Sequence, residues 1–397
     1  MPQSQSSAID ENLPTQTTGD LFGPDHVPLV VQGNQDEQAL TLFKSLLYNR
    51  AVERESLSNA ISIWDVLPRF AGERLNQLDA LPDAFECEFE LAGERCKMVL
   101  TPGTSYRLVA TEDGAASLES GSSRRRYPGA REQAVEQALI KIACDQAEAL
   151  EVDGGETVYQ VSFSIKAIQN VLRTQGTTYN HTHVREALDI LSSSVMTLYD
   201  SKGVHVRRRP MLPGFDCISP SGKATRSPLA QWVAQLHPIV ANSIRNAAYR
   251  QFNLTQFLGR KSFSAYLLKQ IVLHATNISD TIPHRVTYSE LRQLTAGLNY
   301  QRPRDGILHL EREIKRMVDS GSLSRYERED IMNTGRTIGR PGVIDAVFKL
   351  YPGTGLLKDI MAASRRNEMI ERQLKLPRMK RPERQQKVTS RAARSLS

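Results

Sequence analysis

The strongest constraint on this chain is an order of sequence patterns that occurs twice. AREQAVEQALIKIACDQAEAL (130–150) places Ala134, Ala138, Leu139, Ile142 and Ala143 on one helical face. A Gly-Gly pair at 154–155 ends that segment, and TVYQVSFSI (157–165) reads as a strand. Ser164 stands where a helix N-cap belongs, ahead of a stripe of Ile165, Ile168, Val171 and Leu172 that stops at Thr174-Gln175-Gly176. A second helix is predicted from about Asn180 to Ser194, with Val184, Ala187, Leu188, Leu191 and Val195 at helical spacing. A strand at 195–199, a turn at Asp200-Ser201-Lys202-Gly203 and a strand ending in Arg207-Arg208-Arg209 complete the series.

The series then repeats. SFSAYLLKQIVLHA (262–275) has Phe263, Tyr266, Leu267, Ile271 and Val272 on one stripe, and residues 284–287 form a short strand pattern. TYSELRQLTAG (287–297) is a helix signal with Thr287 as N-cap and a Gly stop. RPRDGILHLEREIKRMVDSG (302–321) follows, with Ile307, Leu310, Ile314 and Met317 toward a core. Its polar face keeps Arg302, Arg304, His309, Arg312, Lys315 and Arg316. A hairpin with Arg336 and Arg340 near a Gly-rich tip closes on VIDAVFKLY (343–351).

Helix, strand, helix, Gly-containing turn, helix and hairpin is the order of a winged helix, in which the second helix of a helix-turn-helix enters the DNA major groove. The expected fold class is therefore α+β, with two tandem winged-helix domains. In the first, Thr177, Thr178, Asn180, His181, His183 and Arg185 occupy the groove-facing end, and Arg207, Arg208 and Arg209 lie in a wing that meets phosphate. In the second, Arg302, Arg304, His309 and Arg312 face DNA, and Arg336 and Arg340 arm the wing. Either module alone is also what an ordinary amphipathic core produces. Their tandem repetition is what favours DNA binding.

Charge is uneven along the 397 residues. The net charge is +7, yet residues 1–43 contain no Lys or Arg and six acidic residues. Residues 355–397 carry 12 Lys and Arg against 4 Asp and Glu. Basic charge that neutralises phosphates is an electrostatic footprint of nucleic-acid binding, although a solvated tail has the same composition. The expected organisation is a disordered acidic N-terminus (1–38), a helical segment (39–83), a small antiparallel strand region and linker (84–126), the first module (127–225), the second (226–354) and a basic C-terminal tail (355–397). The helical segment rests on Leu40, Phe43, Leu46 and Leu47, then Ile61, Ile63, Trp64, Val66 and Leu67. The strand region rests on the alternation in AFECEFELAGERCKMVL, and GAASLESGSSRRRYPG (114–129) reads as linker. No apolar run reaches the roughly 18 residues of a membrane span, and the N-terminus lacks a secretory pattern. Cys87, Cys96, Cys144 and Cys217 lack CxxC spacing, which argues against zinc or a disulfide framework and for a reducing, cytoplasmic setting. No metal or cofactor is expected.

From residue 84 to about 352 this order resembles the TrfA-type plasmid replication initiators and, more broadly, tandem winged-helix Rep proteins. The likeness is one of pattern in CEFELAGERCKMVL, TVYQVSFSIKAIQNVLRTQGTTYNHTHVREALDILSSSVMTLYD, QLHPIVANSIRNAAYRQFNL and RVTYSELRQLTAGLNYQRPRDGILHLEREIKRMVDSGSL. It implies binding to direct repeats (iterons) in double-stranded DNA at an origin, local melting, and recruitment of host replication proteins: DnaA, the replicative helicase and the sliding clamp. It also implies a shift between homodimer and monomer. A clamp-binding peptide of the form Gln-Leu-Ser/Asp-Leu-Phe is matched in part by Asp20, Leu21 and Phe22, and in part by Gln77-Leu78-Asp79-Ala80-Leu81.

Catalytic readings fit less well, and the chain is expected not to be an enzyme. No GxxxxGK[ST] loop is present to cradle nucleotide phosphates. His181-Thr182-His183 beside Tyr179 lacks the strand setting of a rolling-circle nickase, because helical residues two apart point about 200° from each other. His309-Leu310-Glu311-Arg312 with Tyr351 matches the short pattern of a tyrosine recombinase, but Leu310 belongs to the core stripe. A winged-helix transcriptional repressor remains the nearer alternative.

Overall fold

Twice along the chain a pair of consecutive helices is followed by an antiparallel pair of strands. The computed structural model describes residues 33–44, 56–91, 94–106, 108–110, 116–118, 123–152, 156–218, 229–257, 262–275, 278–295, 298, 300–333 and 342–374. These residues form a mixed α+β protein with several small sheets.

The N-terminal part departs from the expected run of helix. Gly33–Lys44 (α1) is helical, but Leu57–Ile61 (β1) is a strand, followed by the short helices Ser62–Val66 (α2) and Gly72–Leu75 (α3). All five β1 residues are buried, so no period marks them as strand or helix. Phe85–Leu91 (β2) and Glu94–Leu100 (β3) pair antiparallel, as their alternation predicts. Gly103–Ser105 (β4) pairs with Arg124–Arg126 (β7), and Leu108–Ala110 (β5) with Ala116–Leu118 (β6). Part of the expected linker is thus ordered strand.

In the first unit, Ala130–Gln146 (α4) leads into Glu148–Val152 (β8) and Glu156–Ser164 (β9). Ser164 caps Ile165–Thr174 (α5): its Oγ accepts from the Ala167 amide at 3.1 Å. The helix ends at Gly176, whose φ of 70° needs the left-handed region. Asn180 caps His181–Ser193 (α6), its Oδ1 accepting from the His183 amide at 2.7 Å. Val184, Ala187, Leu188 and Leu191 bury the inner face. Val195–Tyr199 (β10) and His205–Pro210 (β11) form the hairpin, and β10 also pairs with β3. The N-terminal strands therefore extend the hairpin into one sheet in the order β11-β10-β3-β2, across the expected boundary at 126/127.

Asp216–Cys217 (β12), Gln231–Gln235 (β13), Pro238–Arg245 (α7) and Tyr249–Asn253 (β14) connect the units. β13 joins the sheet order β12-β13-β9-β8. The second unit runs Ser262–His274 (α8), His284–Thr287 (β15), Tyr288–Leu294 (α9), Pro303–Asp319 (α10), Leu323–Met332 (β16) and Val343–Pro352 (β17). Thr287 and Glu290 form a capping box on α9. Pro303 opens α10, where its missing N–H costs nothing.

The two α9–α10 helices cross closely at Gly306. A Cβ there would lie 2.1 Å from the Tyr288 hydroxyl and 2.6 Å from its ring carbons. Helix propensity alone favours Ala over Gly by about 1 kcal/mol. The clash with a buried ring reverses the sign, since overpacking costs about 1–3 kcal/mol and more where backbone must shift. Gly306→Ala is expected to lower the urea midpoint and, by displacing α10, to weaken any binding made through it. A variant as stable as the native protein would show that the crossing is not tight.

β1 and β14 form an antiparallel ribbon between two cores. Ile61 and Tyr249, paired across the ribbon, enter the first core; Ala60 and Phe252, on the alternate face, enter the second. A single ribbon therefore serves as a shared wall.

The expected basic tail is a folded element in its first half. Thr354–Gln373 (α11) buries Leu356, Ile360, Ala363, Arg366 and Ile370 and packs on β14. Arg366 is 5% exposed; its guanidinium donates to Asn59 Oδ1 at 2.8 Å and to the Leu42 carbonyl, near the end of α1, at 3.1 Å. The expected disorder up to residue 38 is corrected similarly, because Asp36 in α1 accepts from Arg245 Nε at 2.9 Å. In both places a long-range partner makes a polar segment fold.

Candidate nucleic-acid interface

A buried ionic network joins the α2 segment to α4 of the first unit and to α8 of the second. Asp65, following Trp64 in α2, accepts from Lys269 of α8 at 2.6 Å, from Arg69 at 3.4 Å and from the Ile61 amide at 2.7 Å. Arg69 also pairs with Glu136 of α4 at 2.5 Å and stacks on Trp64 at 3.8 Å. This buried network ties the N-terminal α2 segment to both units. On the other side of Trp64 lies His237, with ring centroids 4.6 Å apart. Its Nδ1 accepts from the Ile239 amide at 3.2 Å and caps α7.

Burial, then the Arg207, Arg69 and Arg209 cations, hold the His237 imidazole well below its usual pKa. The unfolded chain binds this proton near pH 6.5, and the folded chain does not. His237 thus contributes stability that is present above pH 6.5 and is lost as pH falls below it, by about 1.4 kcal/mol per pH unit. His237→Asn keeps a capping acceptor but cannot titrate. Denaturation midpoints from pH 7.5 to 5 should fall more steeply in the native protein than in this variant. Parallel slopes would remove His237 as the cause.

The exposed end of α6 carries Asn180, Thr182 and His183, with Thr178 before it and Thr177 and His181 half-buried. Thr182 was not among the residues singled out from sequence, although its position between the two histidines was the available signal. Arg185 is held by the protein itself: Nε donates to Asp189 at 3.1 Å, and the guanidinium lies 4.3 Å over the Trp232 ring. Glu186 pairs with Arg131 of α4 at 2.9 Å, which removes an acid from this face.

Strand geometry divides the Arg207–Arg209 trio. Arg207 and Arg209 stand opposite Leu198 and Met196, on the side that reaches toward His237, while Arg208 alternates to the other face. Arg208 and Arg209 are exposed, and Arg207 is half-buried. They do not form one cluster.

α10 presents the more cationic surface. Arg302, Arg304, Arg312, Lys315 and Arg316 are exposed. Glu311 is occupied by Arg328 of β16 at 2.6 Å and by the Tyr326 hydroxyl at 3.1 Å. Arg316 pairs with Glu313. Along the base of the β16–β17 hairpin charges are matched, as in Arg325–Glu327 at 2.6 Å, so this stem adds little net field. Arg336 and Arg340 lie outside the described residues, as do Asp20, Leu21 and Phe22. The second partial clamp-binding stretch, Gln77–Leu81, is a turn with Leu78 exposed. Tyr351 is 6% exposed, donates to Glu327 at 2.9 Å and lies under the Arg325 guanidinium.

His309 leaves this face and stands beside Tyr300, ring centroids 5.5 Å apart, in a cleft between the units. The cleft has a volume of about 740 Å³ and is bordered by Arg74, Arg126 and Arg131. Arg74 lies 4.4 Å over the Tyr300 ring. None of these arginines was singled out from sequence, because they converge from separate elements. Among the described residues no helix is long and apolar enough to cross a membrane, and no group of His, Cys, Asp and Glu is placed to hold a metal.

No protein-family model and no curated protein matches the chain. Among solved structures, a selenomethionine derivative of domains 2 and 3 of RctB is similar at a TM-score of 0.40 and 13% identity, covering 71% of this chain and 96% of that one. A second crystal structure of RctB domains 2–3 is similar at a TM-score of 0.41 and 11% identity, covering 75% of this chain and 99% of that one.

Proposed function

We propose that this protein binds double-stranded DNA sequence-specifically through two winged-helix modules and initiates replication at an origin carrying direct repeats. The observation that carries the DNA-binding reading is the tandem repetition of helix, turn, helix and hairpin, with an exposed cationic face on α10 and an exposed polar end on α6. Asn180, Thr178 and His183 in the first module and Arg302, Arg304 and Arg312 in the second are the base and phosphate contacts. Arg208, Arg209, Arg336 and Arg340 position the wings on the backbone. Thr177, Arg185, Arg207 and His309 support these faces rather than lead them, given their partial burial.

Two modules tied to one buried network suit a long asymmetric site repeated head to tail. The initiator role follows from that asymmetry and from the resemblance in pattern order to TrfA-type initiators. It includes recruitment of DnaA, the replicative helicase and the sliding clamp. The test is footprinting on the locus that encodes the chain, followed by asking whether gene plus protected site replicates autonomously. Protection of direct repeats with autonomous replication is expected. Protection of a promoter without replication would favour a transcriptional repressor.

A further inference from the structure

The surface between the two modules holds arginines that neither reading helix supplies. β7 is Arg124-Arg125-Arg126, and all three residues are exposed. Strand alternation places Arg124 and Arg126 on one face and Arg125 on the other. Arg125 meets Asp83 at 3.3 Å, whereas Arg124 and Arg126 form no ion pair among the described residues. Arg126 borders the cleft, with Arg74 and His309 among its other lining residues.

The strand is held in place from the first module. β7 pairs with β4 in the register Gly103 to Arg126. β4 is fastened to the end of α6, where the Thr104 amide donates to Ser193 Oγ at 2.8 Å. Gly103 lies so close that a Cβ would stand 2.3 Å from the Ile190 carbonyl. The same cleft is walled on the far side by His309 of α10 and by Tyr300. Cationic side chains on a fixed strand therefore lie between the module that carries α6 and the one that carries α10.

We infer that Arg124 and Arg126, with Arg74 lining the same cleft, hold the sugar–phosphate backbone of duplex DNA between the stretches read by the two modules. This rests on the proposal that the chain binds duplex DNA. Charge complementarity selects the partner: guanidinium groups without carboxylate partners favour phosphate oxygens. The contact carries no base information. It fixes the path of the DNA from one reading helix to the other.

The test uses the full chain with a labelled duplex from its own locus and a labelled random-sequence duplex. The R124A/R126A double variant should bind both duplexes about tenfold more weakly, and the slope of log affinity against log salt should fall by about 0.9 for each lost contact. Hydroxyl-radical footprinting should show the bridging backbone exposed while the two flanking tracts stay protected. R125A, on the opposite face, should stay within about twofold of the native protein. Thermal melts should coincide, since all three side chains are exposed. Native affinity and salt slope in R124A/R126A would overturn the inference, as would an equal loss in R125A. Absence of duplex binding by the unaltered chain would overturn the DNA-binding proposal itself, and is seen before any variant is made.

Discussion

Asp65→Ala should lower the free energy of unfolding by about 3–5 kcal/mol, the cost of breaking a buried ionic network by removing one partner. The carboxylate is buried and serves Lys269, Arg69 and the Ile61 amide at once. Arg69 retains Glu136, so the larger part of the loss falls on Lys269, whose ammonium is left in a buried site without its closest carboxylate. The network spans the N-terminal α2 segment and both units, so the loss should also reduce their coupling. Denaturant unfolding followed by far-ultraviolet circular dichroism and by tryptophan fluorescence reads both effects. Coincident transitions in the native protein should separate in the variant. A loss below about 1 kcal/mol with coincident transitions would show that packing, rather than this network, holds the units together.

Arg304→Ala should weaken binding at the protected site by about 1–3 kcal/mol, about 5- to 150-fold, if the guanidinium makes a bidentate contact with guanine. Its position supports that role. It is exposed at the second position of α10, and no acidic partner on the described surface holds it. The measurement compares the cognate duplex with a random one at fixed salt. A selective loss assigns Arg304 to base reading. An equal loss on both duplexes assigns it to phosphate, and an unchanged affinity removes α10 from the interface.

Several elements were legible from residues alone because their signals are local. The caps at Ser164 and Thr287 are short-range competitions for backbone amides, and the stripes of α5, α6 and α10 are periodic over two or more turns. The same locality explains the candidate interface: the exposed Arg302, Arg304 and Arg312 are the complement of the buried Ile307, Leu310 and Ile314. Arg185, expected at the groove-facing end, is held against Trp232, 47 positions away, a contact that no local pattern announces. Arg207, Arg208 and Arg209 are expected together in a wing, and only the strand and its register divide them between two faces.

The sequence by itself determined the order of elements within the two repeated series and the amphipathic faces of α6 and α10, since each depends on residues within a turn or two. Tertiary structure decided which polar segments fold and how the repeated units are joined. β1 is a strand only because β14 lies beside it, and α11 is anchored by its apolar face on β14 and by Arg366 reaching α1 and β1. The arginines of the inter-module cleft come together only when residues 74, 126 and 131 meet Tyr300 and His309. The physical reason is that burial and pairing across long loops depend on closure of the whole chain, whereas capping and periodicity depend on neighbours.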